Sequence, residues 1–241
     1  MVPVNSFSKP SPSLWDTLAC QAFDRALQDL GLPAAVLMEE AANSLCGFLE
    51  SRLNQGDGEI VAFLCGPGNN GADGVAAARL LLGRPQTRVI VYLPYGEGPA
   101  DGLLAMQLKV FQNLGGEVKK IEPGGEIKGI PTPDIVVDAL FGVGLTRAME
   151  EEQLSSLAPW LESGAPILAV DCPSGLDCTT GQALGRAIKA TWTLSFVAAK
   201  AGFSLADGPS HTGEVLVAGI GVRQEIADAW LARGQHFETG A

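Results

Sequence analysis

The chain has 241 residues, of which 46% are hydrophobic and 18% are charged, a composition that excludes wholesale disorder and supports a sizeable buried core. The formal net charge of −11 disfavours binding to nucleic acid or to an anionic membrane surface. Any phosphate-bearing ligand therefore has to be held by local hydrogen-bond donors. No apolar run approaches the roughly 18 residues that a membrane span requires.

The five cysteines lack CxxC spacing and mostly lie in apolar stretches, which indicates reduced, buried thiols in a cytoplasmic protein. The presence of only two histidines argues against a zinc site of the usual Cys/His type. The first residues, MVPVNSFSKPSPS, have neither the basic start nor the apolar core of a secretory signal. We expect residues 1–12 to form a mobile leader and residues 13–241 to form one domain.

Two helices are predicted in the amino-terminal part of the chain. Ser13 and Asp16 suggest a helix cap, after which apolar residues recur at helical spacing as far as Gly31. A second helix is predicted from about Pro33 to Leu53. We interpret its apolar stripe, which includes Met38, as core.

From residue 59 onwards, short apolar runs alternate with amphipathic helical segments. The predicted strands are EIVAFLC, RVIVYL, EVKKIE, DIVVDALFG, PILAVD, ATWTLSF and EVLVAGIG. This alternation predicts an α/β fold in which helices cover both faces of a parallel sheet. In such sheets, ligands bind beyond the carboxyl ends of the strands, and three of these ends contain candidate residues.

The end of the first strand contains GPGNNG at residues 66–71, a G-x-G-x-x-G pattern between a strand and a helix. Three features weaken a dehydrogenase interpretation of this loop. Pro67 lacks an N–H group, Asp73 places a carboxylate where a pyrophosphate would sit, and the second strand has no acidic residue at its tip to hold a ribose. A tight glycine turn without a nucleotide is the alternative interpretation.

Acidic residues mark the other two strand ends. Asp138 lies inside the apolar run IVVDALF, where a carboxylate has to be hydrogen-bonded, paired or bound to a cation. Asp171 lies at a strand tip and is followed by Ser174 and by Asp177, which could cap a local turn. Lys200 follows a further strand and, taken alone, indicates a solvated lysine.

The parallel arrangement should bring Asn70, Asp138, Asp171 and Ser174 to one edge of the sheet. Their oxygens suit a hard cation, either an alkali or an alkaline-earth ion. The backbone amides of residues 69–73 and 142–147 could offset phosphate charge locally.

Five strings in this order, GPGNNGADG, VVDALFGVGLTR, VDCPSGLD, AAKAG and GEVLVAGIGV, resemble the NAD(P)H-hydrate epimerase family, known as the YjeF N-terminal domain family. The similarity covers roughly residues 15–225, and AAVLMEEAA resembles the family's LMENAG segment. The resemblance implies a Rossmann-like three-layer α/β/α sandwich with a mostly parallel central sheet. Two departures are Ala72, where the family usually has Gly, and Glu40, where it usually has Asn.

The resemblance also implies an activity and partners. Family members are isomerases that interconvert the R and S C6 hydrates of NADH and NADPH (NADHX and NADPHX), so that a separate dehydratase acting on one epimer recovers all of the cofactor. A homodimer with one K⁺ per subunit is implied as well. Because only about one helix follows the last strand, we expect no nucleotide-dependent dehydratase activity from this chain alone.

Motif matching implies which residues form the site. Potassium ligands fall on Asn70, Asp138 and Ser174. The residues implied for hydrate binding are Asn69, Asn70, Gly71, Ala72, Asp73, Gly142, Val143, Gly144, Leu145, Thr146, Arg147, Asp171 and Lys200.

Inversion at C6 requires proton transfer to or from oxygen, through either ring opening or C–O cleavage, and Asp171 is the candidate acid–base residue. The alternatives are a catalytically silent nucleotide-binding or scaffold relative and, less favoured, a nicotinamide-dependent dehydrogenase. Such scaffolds tend to lose the Asp and Asn loop residues, which this chain retains.

Overall fold

Seven parallel strands form the central sheet in the computed structural model, which describes residues 7–10, 14–54, 58–121, 131–149, 151–235 and 237. Hydrogen-bonded neighbours run in the order β3-β2-β1-β4-β5-β6-β7, and every pair is parallel. The predicted parallel sheet is confirmed. The strands are β1 Glu59–Cys65, β2 Thr87–Leu93, β3 Glu117–Lys120, β4 Ile135–Ala139, β5 Ile167–Val170, β6 Trp192–Phe196 and β7 Glu214–Ala218.

Helices connect and cover these strands. They are α1 Thr17–Asp29, α2 Ala34–Arg52, α3 Asn69–Leu81, α4 Leu103–Asn113, α5 Glu151–Leu161, α6 Gly208–His211 and α7 Gln224–Ala232, with a 3-10 turn at Ala201–Ser204. The first two helices confirm the prediction from apolar spacing. Asp16 caps α1, because its Oδ1 accepts a hydrogen bond from the Ala19 amide at 2.7 Å. The predicted cap residue Ser13 lies outside the described residues. Within the described ranges, no helix is long and apolar enough to cross a membrane.

Apolar side chains pack on both faces of the sheet, which accounts for the continuous apolar runs of the inner strands. The larger cluster joins the sheet to α1, α2, α3, α4 and α7 through residues such as Phe23, Phe48 and Phe63. A second cluster on the other face joins α5 to the sheet through residues that include Leu157 and Trp160. These layers give the three-layer α/β/α sandwich.

The described part of the amino-terminal leader contacts the domain. Phe7 packs edge-on against Phe48 with a ring-centroid separation of 5.7 Å. Ser8 forms an antiparallel bridge with Val217 on the edge strand β7, with N–O distances of 3.0 and 2.9 Å. Residues 7–8 of the predicted leader therefore pair with the domain, because an exposed sheet edge offers free backbone groups. The mobility of the leader stays a prediction. Residues 1–6 and 11–12 lie outside the described residues.

The expectation that all five cysteines are reduced thiols is corrected at one pair. Cys172 and Cys178 form a disulfide in the loop that follows β5, with 6.8 Å between their Cα atoms. The loop also contains the Leu176–Ala183 bridge, and both cysteine side chains belong to a small buried cluster. Cys20, Cys46 and Cys65 are free thiols.

Candidate functional site

A cleft of about 560 Å³ opens at the carboxyl edge of the sheet, within the size range of small-molecule sites. The order of the strands reverses direction between β1 and β4, and ligands of open α/β sheets bind at this kind of switch point. The cleft is lined by residues from α1, α2, the first turn of α3, the segment 140–147 and the ends of β5 and β6. The three strand ends selected from the sequence therefore meet at one cavity.

The Asn-rich segment after β1 is the first turn of α3 rather than part of a loop. The helix begins at Asn69, so its unpaired amino-terminal N–H groups lie beside the cleft. Gly71 is required here because a Cβ at this position would collide with the Gly66 carbonyl. Ala72 is fully buried in the helix, so the departure from the family's usual glycine is accommodated.

Asp138 and Ser174 lie together behind two cleft-lining residues, whose amides they accept: Leu140 bonds to Asp138, and Phe141 bonds to Ser174. Both are fully buried, and Asp138 Oδ1 accepts the Ser174 hydroxyl at 2.6 Å while Oδ2 accepts the Ser174 amide at 2.8 Å. Burial raises the pKa of Asp138 to about 6, and the hydrogen bonds from Ser174 and Leu140 act in the opposite direction. β4 and the loop after β5 thus bring together two of the three residues implied as potassium ligands.

The third implied ligand, Asn70, lies against the segment that follows β4. Its Oδ1 faces Gly142, where a Cβ would approach it to 2.9 Å, and its Nδ2 is buried without a hydrogen-bond partner. Among the described residues, Asp138 has no cationic side chain within ion-pair distance. No three His, Cys, Asp or Glu side chains of the described ranges cluster as a transition-metal site would require. One carboxylate with neutral oxygen donors fits a monovalent cation.

Asp171 is held at the tip of β5 by an ion pair and a backbone hydrogen bond. Its Oδ1 lies 2.8 Å from Lys200 Nζ and accepts the Phe196 amide at 3.0 Å, while Oδ2 accepts no hydrogen bond within the described part of the chain. Asp171 has φ +64°, a left-handed conformation that Asp tolerates better than most residues. The neighbouring Val197, at φ +66°, is a genuine outlier for a β-branched residue, and such strain clusters at functional sites.

Lys200 is an internal cation, so the solvated lysine suggested by the residue pattern is wrong. Its side chain is 2% exposed, and Nζ also donates to the carbonyls of Phe196 and Ala198 at 2.8 and 3.1 Å. Burial alone lowers the pKa of Lys200, but the adjacent Asp171 carboxylate raises it above its ordinary value. All three ammonium protons have acceptors, so the ammonium group is itself fixed. Lys200 therefore holds Asp171 in place.

Two further carboxylates line the cleft. Burial, together with the negative charges of Asp171 and Asp24, raises the pKa of Asp73 well above its ordinary value. A raised pKa favours the neutral carboxyl, which repels phosphate less than a carboxylate does, so the objection raised from the sequence is weaker. Asp24 lies on α1, and burial followed by the charge of Asp171 raises its pKa to about 6.

The structure brings most of the sequence-predicted residues together. Asn69, Asn70, Asp73, the segment 142–147, Asp171 and Lys200 all line the cleft. Gly71, Ala72, Asp138 and Ser174 are buried and do not line it. Sequence reasoning missed the contribution of α1, which includes Cys20 and Asp24. The available signal was an acidic residue directly beside the buried Phe23 of an amphipathic helix.

The fold and the cleft define a doubly wound α/β domain with a ligand site at its switch point. Residues 34–202 match the family described as YjeF-related protein N-terminus. The chain belongs to this family.

The comparisons with individual proteins cover nearly the whole domain. The chain is 33% identical over 203 residues to the NAD(P)H-hydrate epimerase of Weissella koreensis, covering 84% of this chain and 88% of that protein. It is 34% identical over 201 residues to the NAD(P)H-hydrate epimerase of Oenococcus oeni, covering 83% and 91%. It is 32% identical over 216 residues to the bifunctional NAD(P)H-hydrate repair enzyme Nnr of Dictyoglomus turgidum, covering 89% of this chain but only 41% of that protein's length.

A solved structure is similar in fold. The yeast protein ynu0 (YNL200c) aligns with a TM-score of 0.65 at 20% identity, covering 85% of this chain and 87% of the yeast chain. At this identity the comparison supports the architecture alone.

Proposed function

We propose that this chain is an NAD(P)H-hydrate epimerase that interconverts the R and S hydrates of NADH and NADPH. The observation that supports this most directly is the Asp171 carboxylate, which is fixed at a strand tip and lines a cleft of about 560 Å³. The similarity to epimerases over most of their length supports the same substrate class.

The substrate's phosphates require a local site, because the chain as a whole is strongly acidic. The first turn of α3 supplies helical N–H groups, and the segment 142–147 supplies further amides together with the exposed Arg147. In the proposed pose the pyrophosphate contacts these groups. The nicotinamide ring then extends towards Asp171 and Lys200.

The reaction requires C6 to lose its configuration and recover it from the opposite face. The hydrate is a hemiaminal, so C6 can lose either its bond to the ring nitrogen or its bond to the hydroxyl oxygen. Both routes require a proton to be removed at one atom and delivered at another, which a positioned carboxylate can do. Asp171 performs this transfer, and Lys200 fixes the carboxylate through its first oxygen.

A potassium ion is part of the proposal. Asn70, Asp138 and Ser174 would hold it beneath the first turn of α3. When bound, it supplies a positive charge to a buried carboxylate that otherwise has only neutral partners. The ion's role is positional: it stabilises the arrangement of α3 and the loop after β5, on which the substrate lies.

Potassium is expected to stabilise the folded protein. A ligand that binds only the native state raises the unfolding free energy by about 2.7 kcal/mol at one hundred times its Kd. We therefore expect a higher Tm and a higher epimerisation rate in KCl than in choline chloride at equal ionic strength. Asp138→Ala should lower the Tm in choline and abolish the response to potassium.

Asp134→Asn is the matched control for this ion response. Asp134 accepts the Ile60 amide at the opposite end of the same strand, so its loss alters stability without touching the proposed ligands. This variant should keep the full potassium response. Identical melting curves of the wild type in both salts would contradict the potassium site.

The biological setting follows from the reaction. An epimerase of this kind works with a dehydratase that accepts only one epimer, and the bifunctional repair enzymes similar to this chain are more than twice its matched length. The partner is here proposed to be a separate dehydratase. The homodimer and the cytoplasmic location stay predictions of the sequence analysis.

The decisive assay uses one resolved epimer of NADPHX. Purified protein is incubated with it, and the appearance of the other epimer is followed by chromatography against a blank without enzyme. We expect equilibration of the two epimers. Binding of NADPHX without conversion would identify a silent nucleotide-binding relative, and hydride transfer between intact NADPH and an aldehyde would identify a dehydrogenase; either result would overturn the proposal.

A further inference from the structure

A second carboxylate faces the cleft from helix α1. Asp24 lies one turn after Cys20, and both residues line the cavity that also contains Asp171 and Lys200. Within the described ranges, the Asp24 carboxylate accepts no hydrogen bond and has no cation within ion-pair distance, although the side chain is partly buried. A partly desolvated carboxylate without a structural partner lowers the stability of the fold. Its presence in a cleft therefore indicates a functional role.

We infer that Asp24 is the second proton-transfer residue of the site and acts together with Asp171, an inference that rests on the proposed epimerase function. The two carboxylates belong to different elements, a helix and a strand tip, and both line the same cavity. Inversion at C6 has to remove a group from one face and restore it at the other. Carboxylates presented by two separate elements suit this requirement better than one carboxylate can.

The charges around Asp24 keep a proton available near neutral pH. Burial and the Asp171 carboxylate together raise the pKa of Asp24 to about 6, against the opposing charges of Lys200 and Arg25. A general acid–base residue is most effective when its pKa lies near the working pH. The titratable and charged groups that interact with the cluster are Cys20, Arg25, Asp73, Asp171 and Lys200.

The proton balance closes for both routes. If the C6–O bond breaks, protonated Asp24 gives its proton to the hydroxyl, water leaves with the bonding pair, and the lone pair of the ring nitrogen forms an iminium. Water that adds to the iminium carbon from the other face then loses a proton to the Asp171 carboxylate. The two residues have then exchanged protonation states, which is the starting state for the reverse conversion, and proton exchange with bulk water restores the first state. If the ring opens instead, Asp171 takes the hydroxyl proton and Asp24 protonates the departing ring nitrogen; closure from the other face returns both protons. Neither route needs an oxidant or a reductant.

Asp24→Asn tests the inference, with Asp29→Asn as the matched control. Asp29 is an exposed carboxylate at the end of the same helix, so its change removes the same charge away from the cleft. We expect Asp24→Asn to lower kcat by on the order of 10²–10⁴, while Asp29→Asn keeps the wild-type rate. The readout is conversion of one resolved NADPHX epimer from pH 5 to pH 9, with a blank at each pH.

Two further readouts separate proton transfer from a structural role. Because the reaction needs one proton on the pair of carboxylates, the wild-type kcat/KM should fall about tenfold per pH unit above the upper pKa, and the variant should lose this limb. The folded-state pKa of Asp24 lies above its unfolded value, so ionisation of Asp24 destabilises the fold. This destabilisation grows as the pH rises from about 4 to about 6 and is constant at higher pH. Asp24→Asn should therefore have a higher Tm than the wild type at pH 7.5 and an equal Tm at pH 4.

The outcomes distinguish this inference from the function on which it rests. If the wild type converts neither epimer, the proposed function fails. If the wild type is active and Asp24→Asn retains its rate, only the role of Asp24 is overturned. A slower variant with a lowered Tm or an unchanged pH profile would overturn proton transfer in favour of a structural contribution.

Discussion

Asp171→Asn is expected to lower the epimerisation rate by on the order of 10²–10⁴, the usual contribution of a general acid–base residue. Asparagine keeps the shape of the side chain and tolerates the left-handed backbone at φ +64°. Its amide oxygen can still accept the Phe196 amide. The variant therefore removes the titratable carboxylate and keeps the backbone contact. It also leaves the buried Lys200 ammonium without its counter-ion, so its free energy of unfolding should fall as well.

The measurement pairs turnover with binding. The conversion rate of one NADPHX epimer is compared with calorimetric binding of NADPH, which lacks the C6 hydroxyl. Lost turnover with retained binding identifies proton transfer as the step affected. A wild-type rate in the Asn variant would overturn the assignment, and an equal loss of binding would make Asp171 a positioning residue.

Asp177→Asn is the matched control in the same loop. Asp177 accepts the amides of Thr179 and Thr180 at 2.8 Å each, and these bonds act against burial to lower its pKa. This confirms the turn cap considered in the sequence analysis. Because Asp177 does not line the cleft, its Asn variant should keep turnover while losing some stability.

The sheet was predictable because each inner strand is a continuous apolar run bounded by turn residues. Strands buried on both faces cannot alternate polar and apolar residues, and this pattern separates them from helices. The first residue of α3 was not predictable from propensity, since Gly and Asn are poor helix formers. Tertiary packing fixes where α3 begins. Gly71 fits against the carbonyl of Gly66, and the helix begins at Asn69, three residues after Gly66.

The candidate site was predictable where burial and polarity conflict along the sequence. Asp138 stands inside an apolar strand, and this conflict correctly indicated a carboxylate with specific partners. Lys200 follows small apolar residues without such a signal, so only the fold reveals that it is buried against Asp171. Asp24 and the Cys172–Cys178 pair depend likewise on contacts between elements, which local patterns do not encode.

Lys200→Met is expected to lower the free energy of unfolding by about 3–5 kcal/mol, the cost of removing one partner from a buried ion pair. Methionine fills much of the same space but leaves Asp171 without its counter-ion. It also leaves the carbonyls of Phe196 and Ala198 without their donor. Urea unfolding at pH 7 measures the loss, and Lys189→Met, at an exposed position, should stay within about 0.5 kcal/mol of the wild type.

The pH dependence of this contribution has a definite sign. The folded-state pKa of Lys200 lies above its unfolded value of 10.5, because Asp171 more than offsets the effect of burial. The ion pair therefore contributes fully below about pH 10 and its contribution is lost only as the pH rises through the raised folded-state pKa. The difference in stability between the wild type and Lys200→Met should stay constant from pH 7 to pH 9.

A double-mutant cycle separates the ion pair from the packing of the lysine chain. If the destabilisation comes from an uncompensated buried carboxylate, then Asp171→Asn should recover part of the stability lost in Lys200→Met, because the double variant buries no unpaired charge. The free energy of unfolding of the double variant should then exceed the value expected from adding the two single losses. The expected excess is about 0.5–3 kcal/mol. Strict additivity would contradict the ion pair as the source of the loss and would leave the two backbone carbonyls, or the packing of the side chain, as its cause.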